Sequence, residues 1–101
     1  MSDLTAEGEL RDLVIGDDFG LYEVIWHFNV VFPGAETSDR VRAAREAVRT
    51  LLTTGELRLI RRDPSSTDRD VVPIAAALDI IEDSTNWEPP RGRTEYLLCR
   101  P

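Results

Sequence analysis

Apolar residues along the chain fall into a few runs whose spacing changes from one segment to the next. In LTAEGELRDLVI, residues 4–15, Ala6, Leu10, Leu13 and Val14 recur at helical intervals, with Gly8 the weakest position of the pattern. The next run, LYEVIWHFNVVF, follows Asp17 and Asp18, either of which suits a helix N-cap, and stops at Pro33-Gly34. Its β-branched and aromatic content would also fit a strand, but length and the acidic cap favour a helix. Because this helix is apolar nearly all round, it is expected to form the buried centre of the domain. From an N-cap at Thr37 or Ser38, Val41, Ala44, Val48, Leu51 and Leu52 then form one stripe, and Gly55 stands where a left-handed C-cap is wanted.

The spacing then shortens. LRLIR at 57–61 alternates as a strand, and DPSSTDRD at 63–70 reads as a polar loop. Pro73 fits a first helical position, and Ile74, Ala77, Leu78 and Ile81 carry a helix to about Asp83. NWEPPRGR is a turn region, since two prolines forbid regular pairing, and TEYLLC at 94–99 is a strand available to pair with LRLIR. The shared stripes nominate Leu21, Ile25, Val41, Val48, Leu51, Leu59, Leu78, Ile81 and Leu98 as core. A chain of 101 residues, 42% hydrophobic, suits one domain over 1–101 built on a single core.

The order helix, helix, helix, strand, helix, strand predicts an α+β fold. The Asp18 cap with LYEVIW, the LLTTGELRLI junction, the PIAAALDIIED helix and the NWEPP turn before a terminal strand resemble small uncharacterised winged-helix-like proteins of actinobacteria. The resemblance implies a winged helix-turn-helix-like arrangement: three helices followed by a two-stranded wing with a helix inserted between its strands. Such folds serve both DNA binding and protein contact. The chain departs from a DNA-binding wing in its loop, where DPSSTDRD carries three aspartates and one arginine.

Charge changes this picture more than composition does. The net charge is −7, which should repel a phosphate backbone, and every basic residue is an arginine. Residues 1–39 hold nine acids and only Arg11, residues 40–62 hold seven arginines and two acids, and residues 63–101 hold four arginines and eight acids. An acidic body thus surrounds one basic insert. On the third helix Arg42, Arg45 and Arg49 cluster within about 60° of one another beside the apolar stripe, an exposed ridge that Arg58, Arg61 and Arg62 extend toward the wing. Glu46 and neighbouring acids could equally make it an ordinary solvated face.

Candidate chemistry is sparse. His27 is the only histidine, which leaves no histidine-based metal cluster and no second histidine for acid–base work, and between Trp26 and Phe28 it reads as a core or interface residue. Cys99 cannot form an internal disulfide and fits a reducing compartment or a small buried hydrophobe. Asp79, Glu82 and Asp83 share a helix face at cation-binding spacing, though a solvated face explains them as well. Asp68 and Asp70 lack the pattern of a calcium loop, and GxGxxG, P-loop, GxSxG and HExxH motifs are missing. Trp87 could anchor a partner or close the core edge. No apolar stretch approaches the ~20 residues of a membrane span, and the start MSDLTAEGEL lacks a signal core.

These features predict a cytoplasmic, non-enzymatic domain without cofactor or metal, acting by contact with another protein or with itself as a homodimer. The partner-binding residues expected are Arg42, Arg45, Arg49, Arg58, Arg61, Arg62 and Trp87. The alternative is a DNA-binding regulator reading DNA with the helix at 38–54. Self-association is expected because a domain this small does not readily cover all of LYEVIWHFNVVF.

Overall fold

The structure, a computed structural model, describes residues 5–15, 17–63, 65, 69–92 and 94–101. Leu4, where the first helical pattern begins, and Asp68 of the expected polar loop lie outside the described residues. Among the described residues the fold is α+β, with four α-helices and a four-stranded antiparallel sheet.

Helix α1 runs Ala6–Leu13 and starts on Thr5, whose hydroxyl accepts from the Gly8 N–H at 3.0 Å. At Gly8, the weak point of the periodicity, an added Cβ would stand 2.8 Å from Thr5 Oγ1 and the hydroxyl would have to shift. Strand β1 is only Phe19–Gly20, and α2, Leu21–Val31, begins directly after it. The expected cap at Asp17 or Asp18 is corrected. Residues 19 and 20 pair with the last strand, so the helix cannot begin before Leu21, and the Gly20 N–H is met by Glu23 Oε1 at 3.1 Å. Asp18 turns outward to Arg69 instead.

Helix α3, Thr37–Thr53, starts one residue earlier than expected, on Glu36 without a side-chain cap bond. Thr37 is taken up by Arg40, whose guanidinium donates to Thr37 Oγ1 (3.2 Å), Asn29 Oδ1 (2.9 Å) and the carbonyls of Phe32 (3.2 Å) and Ala35, closing the α2–α3 turn. At its other end Gly55 adopts φ +81° as expected, and the reversal lets the Leu57 N–H reach the Leu51 carbonyl at 3.1 Å.

Strand β2 is Arg58–Arg62, β3 is Arg69–Val71, α4 is Ile74–Glu82 after an N-cap at Pro73, a short 3-10 helix covers Ser84–Trp87, and β4 is Glu95–Cys99. The sheet order is β1-β4-β2-β3. The expected pairing of the two apolar strands is present, with Leu59 opposite Leu98 and Ile60 opposite Leu97. The two-stranded sheet expected is corrected to four strands: Arg69 and Asp70, assigned to the loop, belong to edge strand β3 opposite Arg62 and Arg61, and β1 adds the other edge. A polar strand at an exposed edge carries no alternation to read, because neither of its faces is buried.

Helix α3 packs against α1, α2 and α4. The core joins Leu10, Leu21, Val24, Phe28, Val48, Leu51 and Ile81 to Leu59 and Leu98 on the helix-facing side of the sheet. Three nominated core residues are shallower: Ile25 and Leu78 are partly buried against the cluster, and Val41 lies outside it near the exposed start of α3. Helix α2 is not buried all round. Leu21, Val24 and Phe28 face the core while Trp26 and Val30 are exposed, because α3, the 3-10 helix and the sheet approach it from one side only.

Candidate interaction surfaces

Neighbours divide the arginines expected to bind a partner. Arg42 pairs with Asp39 one turn earlier, Arg49 with Glu82 of α4, Arg61 with Asp70 at 3.4 Å, and Arg62 with Glu95. Arg45 is half-buried with its Nε enclosed and lacking an acceptor, and Arg58 is exposed; neither has an ion pair among the described residues. Each exposed pair contributes little stability, up to about 1 kcal/mol. Their electrostatic effect is larger: a cation next to its own carboxylate presents a dipole to an approaching partner. The ridge anticipated on α3 therefore exists as a row of side chains but not as an uncompensated strip of charge.

Trp87 is buried, and its indole N–H donates to the Ile81 carbonyl at 2.9 Å. The expectation of a partner-facing anchor is corrected, because the turn after α4 folds the ring back beneath the helix end. Asn86 Nδ2 donates to the Ile80 carbonyl at 2.8 Å, so two side chains of the 3-10 helix satisfy α4's terminal acceptors. Asp83 Oδ1 accepts from the Thr85 hydroxyl (2.7 Å) and N–H (3.0 Å), which hold its carboxyl below the ordinary range. Glu82 is occupied by Arg49, so two of the three carboxylates spaced for a cation, Glu82 and Asp83, are drawn to separate tasks.

His27 Nε2 lies 2.9 Å from Glu9 Oε2, a half-buried tie between α2 and α1. Cys99 shares the outward face of β4 with Leu97, on the opposite side of the sheet from the helices, and its thiol is pushed up by burial and then by the Asp18 carboxylate. A nucleophilic Cys99–His27 pair is thus separated by the sheet. Among the described residues, no three His, Cys, Asp or Glu side chains are grouped for a metal.

The part of LYEVIWHFNVVF that the domain leaves uncovered, expected from the sequence without a position, is the outer face of α2. Tyr22, Trp26 and Val30 recur every four residues, with Tyr22 and Trp26 in edge-to-face contact at 5.0 Å. Trp26 is 57% exposed and Val30 75%. On a helix advancing 100° per residue both point about 160° away from Phe28. The four-residue spacing was present in LYEVIWHFNVVF, but with every face apolar it did not stand out. Beyond Tyr22, whose phenol is raised by burial and the carboxylates of Glu23 and Glu95, opens a polar cleft of about 210 Å³ with Thr85, Asn86 and Tyr96 in its wall.

Among the described residues no helix is long and apolar enough to cross a membrane. No family model matches the chain, and no curated protein or solved structure matches it either, so the geometry alone carries the functional reading.

Proposed function

We propose that this protein works by contact with protein rather than by catalysis, and that its first contact is with a second copy of itself through α2. The observation that carries the reading is the pair of exposed apolar side chains, Trp26 and Val30, on the helix face opposite the core. A two-fold axis near Trp26 brings two α2 helices together antiparallel, Tyr22 of each copy against Val30 of the other. Covering a half-exposed tryptophan and a valine on each copy is worth a few kcal/mol, which supports a weak, concentration-dependent dimer. The arrangement is read as winged-helix-like, with α3 as the third helix and the β2–β3 hairpin as the wing.

Duplex binding through α3 is the alternative, and it draws on Arg45 and Arg58, the two expected contacts left without a carboxylate. Two phosphate contacts correspond to a slope of roughly −1.8 in log affinity against log salt, too few to hold DNA against a net charge of −7. Sedimentation from low to high micromolar concentration tests the choice. The expected result is a monomer–dimer equilibrium that Trp26→Ala abolishes while circular dichroism stays unchanged. A monomer throughout, together with submicromolar sequence-dependent DNA binding lost in the Arg42, Arg45, Arg49 triple alanine variant, would reverse it.

A further inference from the structure

Away from α2, two open depressions meet where the end of α1, the α3–β2 turn and the β3–α4 junction converge. The first, about 790 Å³, is bordered by Ile15, Arg11 and Arg100; the second, about 550 Å³, by Val71, Ile74 and Arg58; Leu57 and Pro101 belong to both walls. The two adjoin at those residues and together make up the groove. Its floor is apolar, and of the five large hydrophobic side chains exposed among the described residues it holds three: Ile15 at 63%, Val71 at 55% and Ile74 at 47%. The other two are Trp26 and Val30 on α2, which does not reach this groove.

Charge at the rim selects the occupant. Arg11 is held by Glu56 through bonds of 2.6 and 3.3 Å, and this pair closes one side. Arg58 and Arg100 border the groove as exposed cations with no ion pair among the described residues, whereas Arg42, Arg49, Arg61 and Arg62 are all neutralised. On a chain of net charge −7, unanswered positive charge thus coincides with unanswered apolar surface. A basic peptide would meet like charge at that rim and a purely apolar one would leave it unpaired. An amphipathic segment with apolar residues on one face and carboxylates on its flank matches both features, the helix-in-groove mode of recognition.

We propose that this groove binds a short acidic amphipathic segment of a partner protein, its apolar residues between Ile15, Leu57 and Ile74 and its carboxylates on Arg58 and Arg100. The inference rests on the reading of the chain as a protein-binding domain but uses a surface separate from α2. Fluorescence anisotropy on the full chain tests it with three labelled peptides of about 12 residues: one with leucines at helical anchor spacing and glutamates between them, its scrambled form, and its lysine counterpart. The acidic amphipathic peptide is expected to bind in the micromolar range and the other two at least about tenfold more weakly. The Arg58→Glu, Arg100→Glu double variant, changed only at exposed positions, should lose about tenfold or more, and Ile74→Asp should lose binding altogether. Trp26→Ala should bind the peptide as the parent chain does, so peptide binding by a strictly monomeric protein would remove the α2 dimer and leave the groove standing. The proposal is overturned if the acidic peptide binds no better than its scrambled form or if charge reversal leaves affinity unchanged. It is equally overturned if Ile74→Asp abolishes self-association, which would make a second copy the occupant.

Discussion

Helices α2 and α3 lie side by side, and their outer faces have been settled in opposite ways. The outer face of α3 carries three arginines in two turns, yet Asp39 takes Arg42, Glu82 of α4 takes Arg49, and Arg45 withdraws partly into the protein. The outer face of α2 carries a tryptophan and a valine, and the described residues leave both more than half exposed. The difference follows from reach. An arginine brings a flexible stem and five donors that find acceptors on neighbouring elements. An apolar side chain is satisfied only by being enclosed, which needs a packed element on that side.

The largest expected contrast between the helices comes from truncating one side chain on each. Leu51→Ala, in the fully buried stripe of α3, should cost about 2 to 5 kcal/mol in denaturant unfolding, while Trp26→Ala at monomeric concentrations should stay within about 0.5 kcal/mol. Similar losses would show that the α2 face is enclosed after all. Trp87→Phe comes next. It removes the bond to the Ile81 carbonyl and leaves that acceptor short, so a loss of about 1 to 3 kcal/mol is expected by thermal or chemical melting. An unchanged midpoint would return Trp87 to the surface.

The third prediction unmasks α3. Glu82→Gln frees Arg49 at a stability cost below about 1 kcal/mol, and with Asp39→Asn it should lengthen retention on a heparin column. Equal retention before and after would mean that the ion pairs do not mask the ridge.

The smallest effect is one of pH. The carboxyls of Asp83, bonded to Thr85, and Glu56, bonded to Arg11, are both held below their ordinary values. A folded-state value below the unfolded one stabilises the fold above the ordinary carboxylate range, about 3.9 to 4.3, and is lost as pH falls through the lower folded values. Melting temperature should therefore hold steady down to that range and then drop, with a shallower drop in Asp83→Asn. A decline already under way near pH 6 would place the acid-sensitive group elsewhere.

Much of α3 and its surroundings was legible beforehand because the signals are local. The stripe Ala44, Val48, Leu51, Leu52 and the stop at Gly55 lie within a few turns of one another, and the alternation in 57–61 and 94–99 marks the two central strands wherever they pair. The candidate surface was legible only as composition: the arginines were located, but Glu82, which answers Arg49, sits 33 positions away on another helix. Trp87 turned on the position of a single carbonyl, that of Ile81.

The sequence by itself determined the order of the four α-helices and the two central strands, the inward stripe of α3 and the concentration of arginine in residues 40–62, because each depends on short-range periodicity or on counting. Tertiary structure decided the two edge strands, since Phe19–Gly20 forms a strand only against β4 and Arg69–Val71 only against β2. It also decided where α2 starts, since its N-cap is the residue at which β1 ends. And it decided which apolar and which charged residues remain available to a partner: exposure of Trp26, Val30 and Ile74, and the unpaired state of Arg58 and Arg100, depend on what lies opposite in space, and periodicity along one segment contains no record of that.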